Sequence, residues 1–168
     1  MTSRFGRATK AQSLLETVIG ISFLVPIFVL LVDSTIIFSA VQANDAACRN
    51  VVRTVATGAP EDADNRAFAI LSQQSHAPTG WLSDIVLARP VTLTIKHKPP
   101  TYSAPDETEQ FNPGGPIQGF AMASTKITIK TILVHLFCGE KELTFTSQQS
   151  CPISYIVPPT GRSKTVEE

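Results

Sequence analysis

The sequence has no HExxH frame, no P-loop lysine and hydroxyl after its paired glycines, and no two cysteines at zinc-ligand spacing. His76, His97 and His135 are isolated, and His135 stands in an apolar run as a structural residue would. Gly114-Gly115 lies between prolines and is turn chemistry, and Gly161-Arg162-Ser163-Lys164 also lacks the phosphate-loop spacing. Asp106, Glu107 and Glu109 fall in a stretch without periodicity, which reads as a solvated loop. These absences argue against an enzyme, and they leave no catalytic residue, no metal site and no cofactor to expect. An excess of one charge is lacking too. Lys and Arg number 14 and Asp and Glu 14, for a net charge of +0, and no basic stripe interleaves with aromatics, so nucleic acid is not an expected partner. There is no internal repeat and no low-complexity tract.

The most consequential absence is local. No charged residue occurs from Val18 to Val32, and the preceding stretch from Leu14 carries one, Glu16. A segment of that composition favours hydrocarbon over water. As a helix, residues 14–32 would rise roughly 28 Å at 1.5 Å per residue, close to the ~30 Å apolar thickness of a bilayer. Arg4, Arg7 and Lys10 precede it, which places the N-terminus on the cytoplasmic side and the remainder outside. Pro26 removes one helix hydrogen bond, so a bend or local unwinding is expected there.

A carboxylate at the edge of such a span is costly unless it has a partner or reaches the headgroups. Its setting, Ala11-Gln12-Ser13-Leu14-Leu15-Glu16, resembles the processing site of prepilins, where a peptidase cuts after a small residue and leaves glutamate fifth in the mature chain. A cut after Ala11 makes Gln12 the first residue and Glu16 the fifth. Gln12-Ser13-Leu14-Leu15-Glu16 followed by an apolar run is similar to the TadE family, the pilin-like or pseudopilin proteins of the Tad/Flp tight-adherence system. The likeness covers roughly the first third of the chain, and it departs from the family at Ala11, where members mostly carry glycine. The resemblance implies a structural role in pilus assembly, adhesion or secretion. It also implies a prepilin peptidase, an inner-membrane platform with a cytoplasmic ATPase, and other pilin-like subunits as partners, beside the lipid bilayer. Glu16 would then pair with the Gln12 amine of a neighbouring subunit. The location implied is the bacterial inner membrane, single-pass, with possible association with a pilus.

Two other readings compete. One is an uncleaved membrane anchor carrying an outer binding domain. The other is a secreted domain with a signal peptide cut after Val41-Gln42-Ala43, before Asn44.

Beyond the span the helical pattern continues. Ile37, Val41, Cys48, Val52 and Val55 recur at helical intervals, with Gln42, Asn44, Asp45, Arg49, Asn50 and Arg53 elsewhere around the turn. No glycine or proline intervenes between Pro26 and Gly58, so one helix is expected from about Ser13 to Ala56. Pro60-Glu61-Asp62 opens a shorter helix with an apolar face of Phe68, Ile70 and Leu71. Val91, Leu93 and Ile95 alternate with polar residues as in a half-buried strand. Residues 98–119, rich in proline and glycine, read as a long exposed loop. Residues 125–134 give the strongest strand, and 143–146 and 153–157 give short ones, for an antiparallel sheet of three or four strands. The expected class is α+β: a leader (1–11), a transmembrane and protruding helix (12–57), an extracytoplasmic α+β domain (58–157) and a flexible tail (158–168). Three cysteines are present, Cys48, Cys138 and Cys151, and outside the cytoplasm a disulfide is permitted. Cys138 and Cys151 would close a short loop within the sheet, leaving Cys48 over or paired between subunits.

Overall fold

The computed structural model describes residues 5–74, 82–103, 110–130, 139 and 142–160. Its first element is a 52-residue helix, α1 (Phe5–Ala56), roughly 78 Å long at 1.5 Å per residue. It passes Pro26 without interruption and begins at Phe5 rather than Ser13, because no proline or run of turn formers separates the basic leader from the span. The other end is capped from a distance. Arg66 Nη2 donates to Val55 O at 3.4 Å and also to Ala59 O, so one guanidinium ties the last turn of α1 to the connection that follows it, adding to the backbone bonds these carbonyls take from Gly58 N and Asp62 N. Gly58 makes room for it: a Cβ there would lie 1.1 Å from Arg66 Nη1.

A 3-10 turn (Pro60–Asp62) leads into α2 (Ala63–Gln74), as the proline and acids of the first turn suggest. Its buried face is Ala63, Ala67 and Leu71, with Ile70 partly covered. Phe68, expected on that face, is 60% exposed, because Ala63, Ala67 and Leu71, four apart, set the buried face. Asp64 Oδ1 accepts from Val91 N at 3.1 Å and ties α2 to the sheet.

The main sheet is antiparallel with strand order β1–β5–β6, from β1 (Val86–His97), β5 (Gln118–Ile129) and β6 (Leu143–Pro152). Along β5 the odd positions Ala121, Ala123, Thr125, Ile127 and Ile129 are buried, and the even positions face away. α1 lies over β5 and β6, and α2 lies against β1. The fold class is therefore α+β, a long N-terminal helix with a small antiparallel sheet.

Residues 98–119 correct the expectation of a plain exposed loop. β2 (Tyr102–Ser103) pairs with β3 (Gln110–Phe111), β4 (Gly115–Pro116) pairs with β7 (Ile156–Val157), and β5 starts inside the stretch. Asn112 exchanges two backbone bonds with Thr160, of 2.9 and 3.0 Å, and its Oδ1 accepts from Gly114 N at 2.8 Å. Gly114 and Gly115 supply φ values of 77° and 141° at this turn. A partner more than forty residues away leaves no local period, so the pattern along the chain misses it. Thr160 is thus held, against the flexible tail expected from 158, and residues 161–168 lie outside the described residues. Asp106, Glu107, Glu109, His76 and His135 lie outside the described residues.

The core has two parts. The larger joins Ala47, Val51, Val52, Val55 and Ala56 of α1 with α2 and with Ala121 and Ala123 of β5. The smaller joins Ala40 with Ile127 and Ile129, flanked by Ile36, Ile37, Leu82 and Phe145. Small residues stand on both sides of the helix–sheet contact, Ala40 and Ala47 on α1 and Ala121 and Ala123 on β5.

Candidate functional site

α1 divides at Asp33. Residues 12–32 have no side chain classed as buried, and large apolar groups are exposed on every side: Leu14, Val18, Ile21, Leu24, Phe28 and Leu31 among them, with Phe23 at 70%. A helix apolar all round and uncovered is not a surface helix of a water-soluble domain. Asp33 is itself 4% exposed, and from Ile36 on one side is covered by the sheet. α1 is long and apolar enough to span a membrane.

Four exposed hydroxyls of α1, two in the bare half and two just past Asp33, are satisfied within the helix. Thr17 donates to Ser13 O (2.9 Å), Ser22 to Val18 O (2.8 Å), Ser34 to Leu30 O (2.7 Å) and Thr35 to Leu31 O (2.8 Å). Hydrocarbon therefore meets no unpaired hydroxyl donor at these four positions. Glu16 is exposed and without a hydrogen bond or ion pair among the described residues. Gln12 lies one turn earlier on the same side of the helix, also exposed. The backbone is helical through Ala11, so the proposed cleavage point lies within a continuous helix.

The covered half contains a polar seam that the sequence pattern does not show. Asn44, expected on the solvated side, is 1% exposed. Its Nδ2 donates to Phe145 O at 3.4 Å, and its own carbonyl accepts from Thr125 Oγ1 at 3.4 Å. Cys48, one turn on, places its thiol 3.4 Å from Ala123 O and 3.5 Å from Ser147 O. Asn44, Cys48 and Val51 follow the four- and three-residue spacing of the stripe, and that spacing is the one signal that could have placed Asn44 inside. Among the described residues no disulfide is found: Cys48 and Cys151 are both free thiols, and Cys138 lies outside them.

The outward face of the sheet carries a groove where β1 shifts register on both sides of Arg89. Its volume is about 490 Å³, and Arg89, Thr92, Met122, Ser124, Thr146 and Gln148 are among its lining. The lining holds one cation, hydroxyls and an amide, and no carboxylate, thiol or imidazole. Such a set can bind polar groups through the guanidinium, the hydroxyls and the amide.

Against known proteins, no family model, no curated protein and no solved structure matches this chain.

Proposed function

We propose that this chain is a pilin-like structural subunit of the TadE kind, anchored in the bacterial inner membrane by residues 14–32, with its sheet domain outside. Its work is assembly: incorporation beside other pilin-like subunits in a Tad/Flp system that serves adhesion or secretion. A prepilin peptidase cuts between Ala11 and Gln12, and an inner-membrane platform driven by a cytoplasmic ATPase receives the product. The observation that carries this reading is the form of α1. One uninterrupted helix is bare and apolar over its first half, with Glu16 as the sole acid, and is the spine of the domain over its second half.

The division of labour follows from charge and solvent. A carboxylate and an ammonium each bury poorly alone in a low-dielectric layer and far better together. Cleavage creates an ammonium at Gln12, and Glu16 of an adjacent copy supplies the acid, which fixes the axial register between subunits. A cut at Ala43 is disfavoured, because it would strip Ile36, Ile37 and Ala40 from Ile127 and Ile129. The uncleaved anchor remains the second reading, favoured by the helix running unbroken through Ala11 to Phe5.

Glu16→Gln tests the assembly role in the native host. The variant is expected at wild-type level in the membrane fraction and depleted at least ten-fold from sheared surface fibres and from cross-linked subunit complexes. Unchanged incorporation of Glu16→Gln would remove the assembly role from this residue.

A further inference from the structure

The three strands of the main sheet carry no Asp or Glu. They do carry Arg89 and Lys96 on β1 and Lys126 on β5, in a chain whose charges balance overall. Two of these cations stand together at the groove. Arg89 is paired in register with Ser124, and Ser124 with Gln148, and all three line it. Lys126, two residues along β5, is the diagonal neighbour of Arg89 and lies roughly 7–8 Å from it between Cα atoms. Its own partner in register, Thr146, also lines the groove. Both cations are exposed, and neither has a hydrogen bond or an ion pair among the described residues. Lys96 differs, because its ammonium sits 5.3 Å from the centre of the Phe120 ring. Glu142, just before β6, lies 2.8 Å from Lys130 and about 13 Å along the strand from Thr146.

Two like charges this close repel, and an anion between them removes the repulsion. A guanidinium offers a planar fork of donors that matches the two oxygens of a carboxylate, and an ammonium adds a point charge. The rest of the lining selects what carries the carboxylate. Thr92, Ser124 and Thr146 have hydroxyls and Gln148 an amide, groups that both donate and accept. None of these side chains makes a hydrogen bond among the described residues, so all are open to a ligand that is itself rich in hydroxyls. No aromatic ring is among the described lining, which leaves a nucleobase no face to stack on. No glycine nest or helix N-terminus is among it either, the backbone devices that cradle a phosphate. The volume, about 490 Å³, falls within the roughly 300–1,000 Å³ of small-molecule sites.

We infer that this groove binds an acidic saccharide. The carboxylate of a uronic acid lies between Arg89 and Lys126, and the sugar hydroxyls meet Thr92, Ser124, Thr146 and Gln148. The site belongs to the sheet domain and does not depend on the membrane reading of α1.

The test is titration calorimetry on the full chain in an amine-oxide detergent, which carries neither sugar nor phosphate, with trigalacturonate as the probe. Saturable binding to one site is expected in the submillimolar to millimolar range. Arg89→Gln should weaken it at least ten-fold, and Arg89→Lys and Lys126→Gln at least three-fold. Lys96→Gln removes one charge from the same sheet and should change the affinity less than two-fold. All of these positions are exposed, and an unchanged circular dichroism spectrum checks that each variant is folded. Trigalacturonate with every carboxyl methyl-esterified keeps its hydroxyls and should bind at least ten-fold more weakly. Equal losses in Lys96→Gln and Arg89→Gln would show diffuse charge attraction and overturn the groove as the site. Equal affinity for the ester would overturn the carboxylate. Tighter binding of triglutamate or of inorganic phosphate would overturn the saccharide. No binding of trigalacturonate at tens of millimolar would overturn the inference as a whole.

Discussion

Val51→Asp is expected to unfold the sheet domain while leaving the chain in the membrane. Val51 is 0% exposed and belongs to the core cluster that includes Ala47, Val55, Ala121 and Ala123, so a carboxylate there has neither water nor a cation to meet. Burying an unpaired charge costs several kcal/mol even after relaxation, against a total stability of about 5–15 kcal/mol for a small domain. Val51→Ala, which removes only two methyl groups, should cost roughly 1.5–2.5 kcal/mol and leave a folded protein. Asn50 is the neighbouring control: exposed on the other side of the helix, Asn50→Asp should change stability by less than about 0.5 kcal/mol. Limited proteolysis of membrane-bound protein separates the three. Val51→Asp loses the protected domain and keeps the membrane fragment, whereas the other two keep both.

The second large effect concerns the bare half. Residues 14–32 contain 14 Leu, Ile, Phe and Val side chains. At roughly −0.3 to −0.6 kcal/mol each they favour insertion by about 4–8 kcal/mol. An arginine at the centre of the span opposes insertion by about 2.5–3.5 kcal/mol. Phe23→Arg together with Ile27→Arg therefore cancels most or all of the driving force, and the carbonate-resistant fraction should fall at least ten-fold. Phe23→Leu with Ile27→Leu should remain resistant. If the double arginine chain still resisted carbonate, residues 14–32 would not be what holds this protein to the membrane.

The span behind the second prediction is legible along the chain, whereas Val51 stands beside the stripe that a linear reading finds. The apolar run without charge, the stripe through Cys48, Val52 and Val55, and the alternation of β5 are local periodicities, and local periodicity is what a linear reading detects. The parts it misses are set by distant partners. Asn44 is polar and reads as exposed, yet Phe145 O, about a hundred residues on, gives its amide a place inside. Phe68 reads as core, yet α2 turns its alanine ladder inward and leaves the ring in solvent. Residues 98–119 look featureless because their order comes from Asn112 with Thr160 and from Gly115 with Val157. The candidate site divides in the same way. Glu16 and its apolar surroundings are visible in the sequence, whereas the abrupt change at Asp33 from bare to covered helix is a property of the fold.

That change also gives Glu16 its meaning. Among the described residues this carboxylate, on an uncovered apolar helix, has no partner, and lipid headgroups or another chain can supply one. The pilin-like account assigns it the amine made by cleavage. The intact mass and N-terminal sequence of the protein taken from native membranes test that account most directly. It predicts a chain beginning at Gln12, lighter than the full chain by residues 1–11. A chain that still begins at Met1, or one that begins at Asn44, would contradict it.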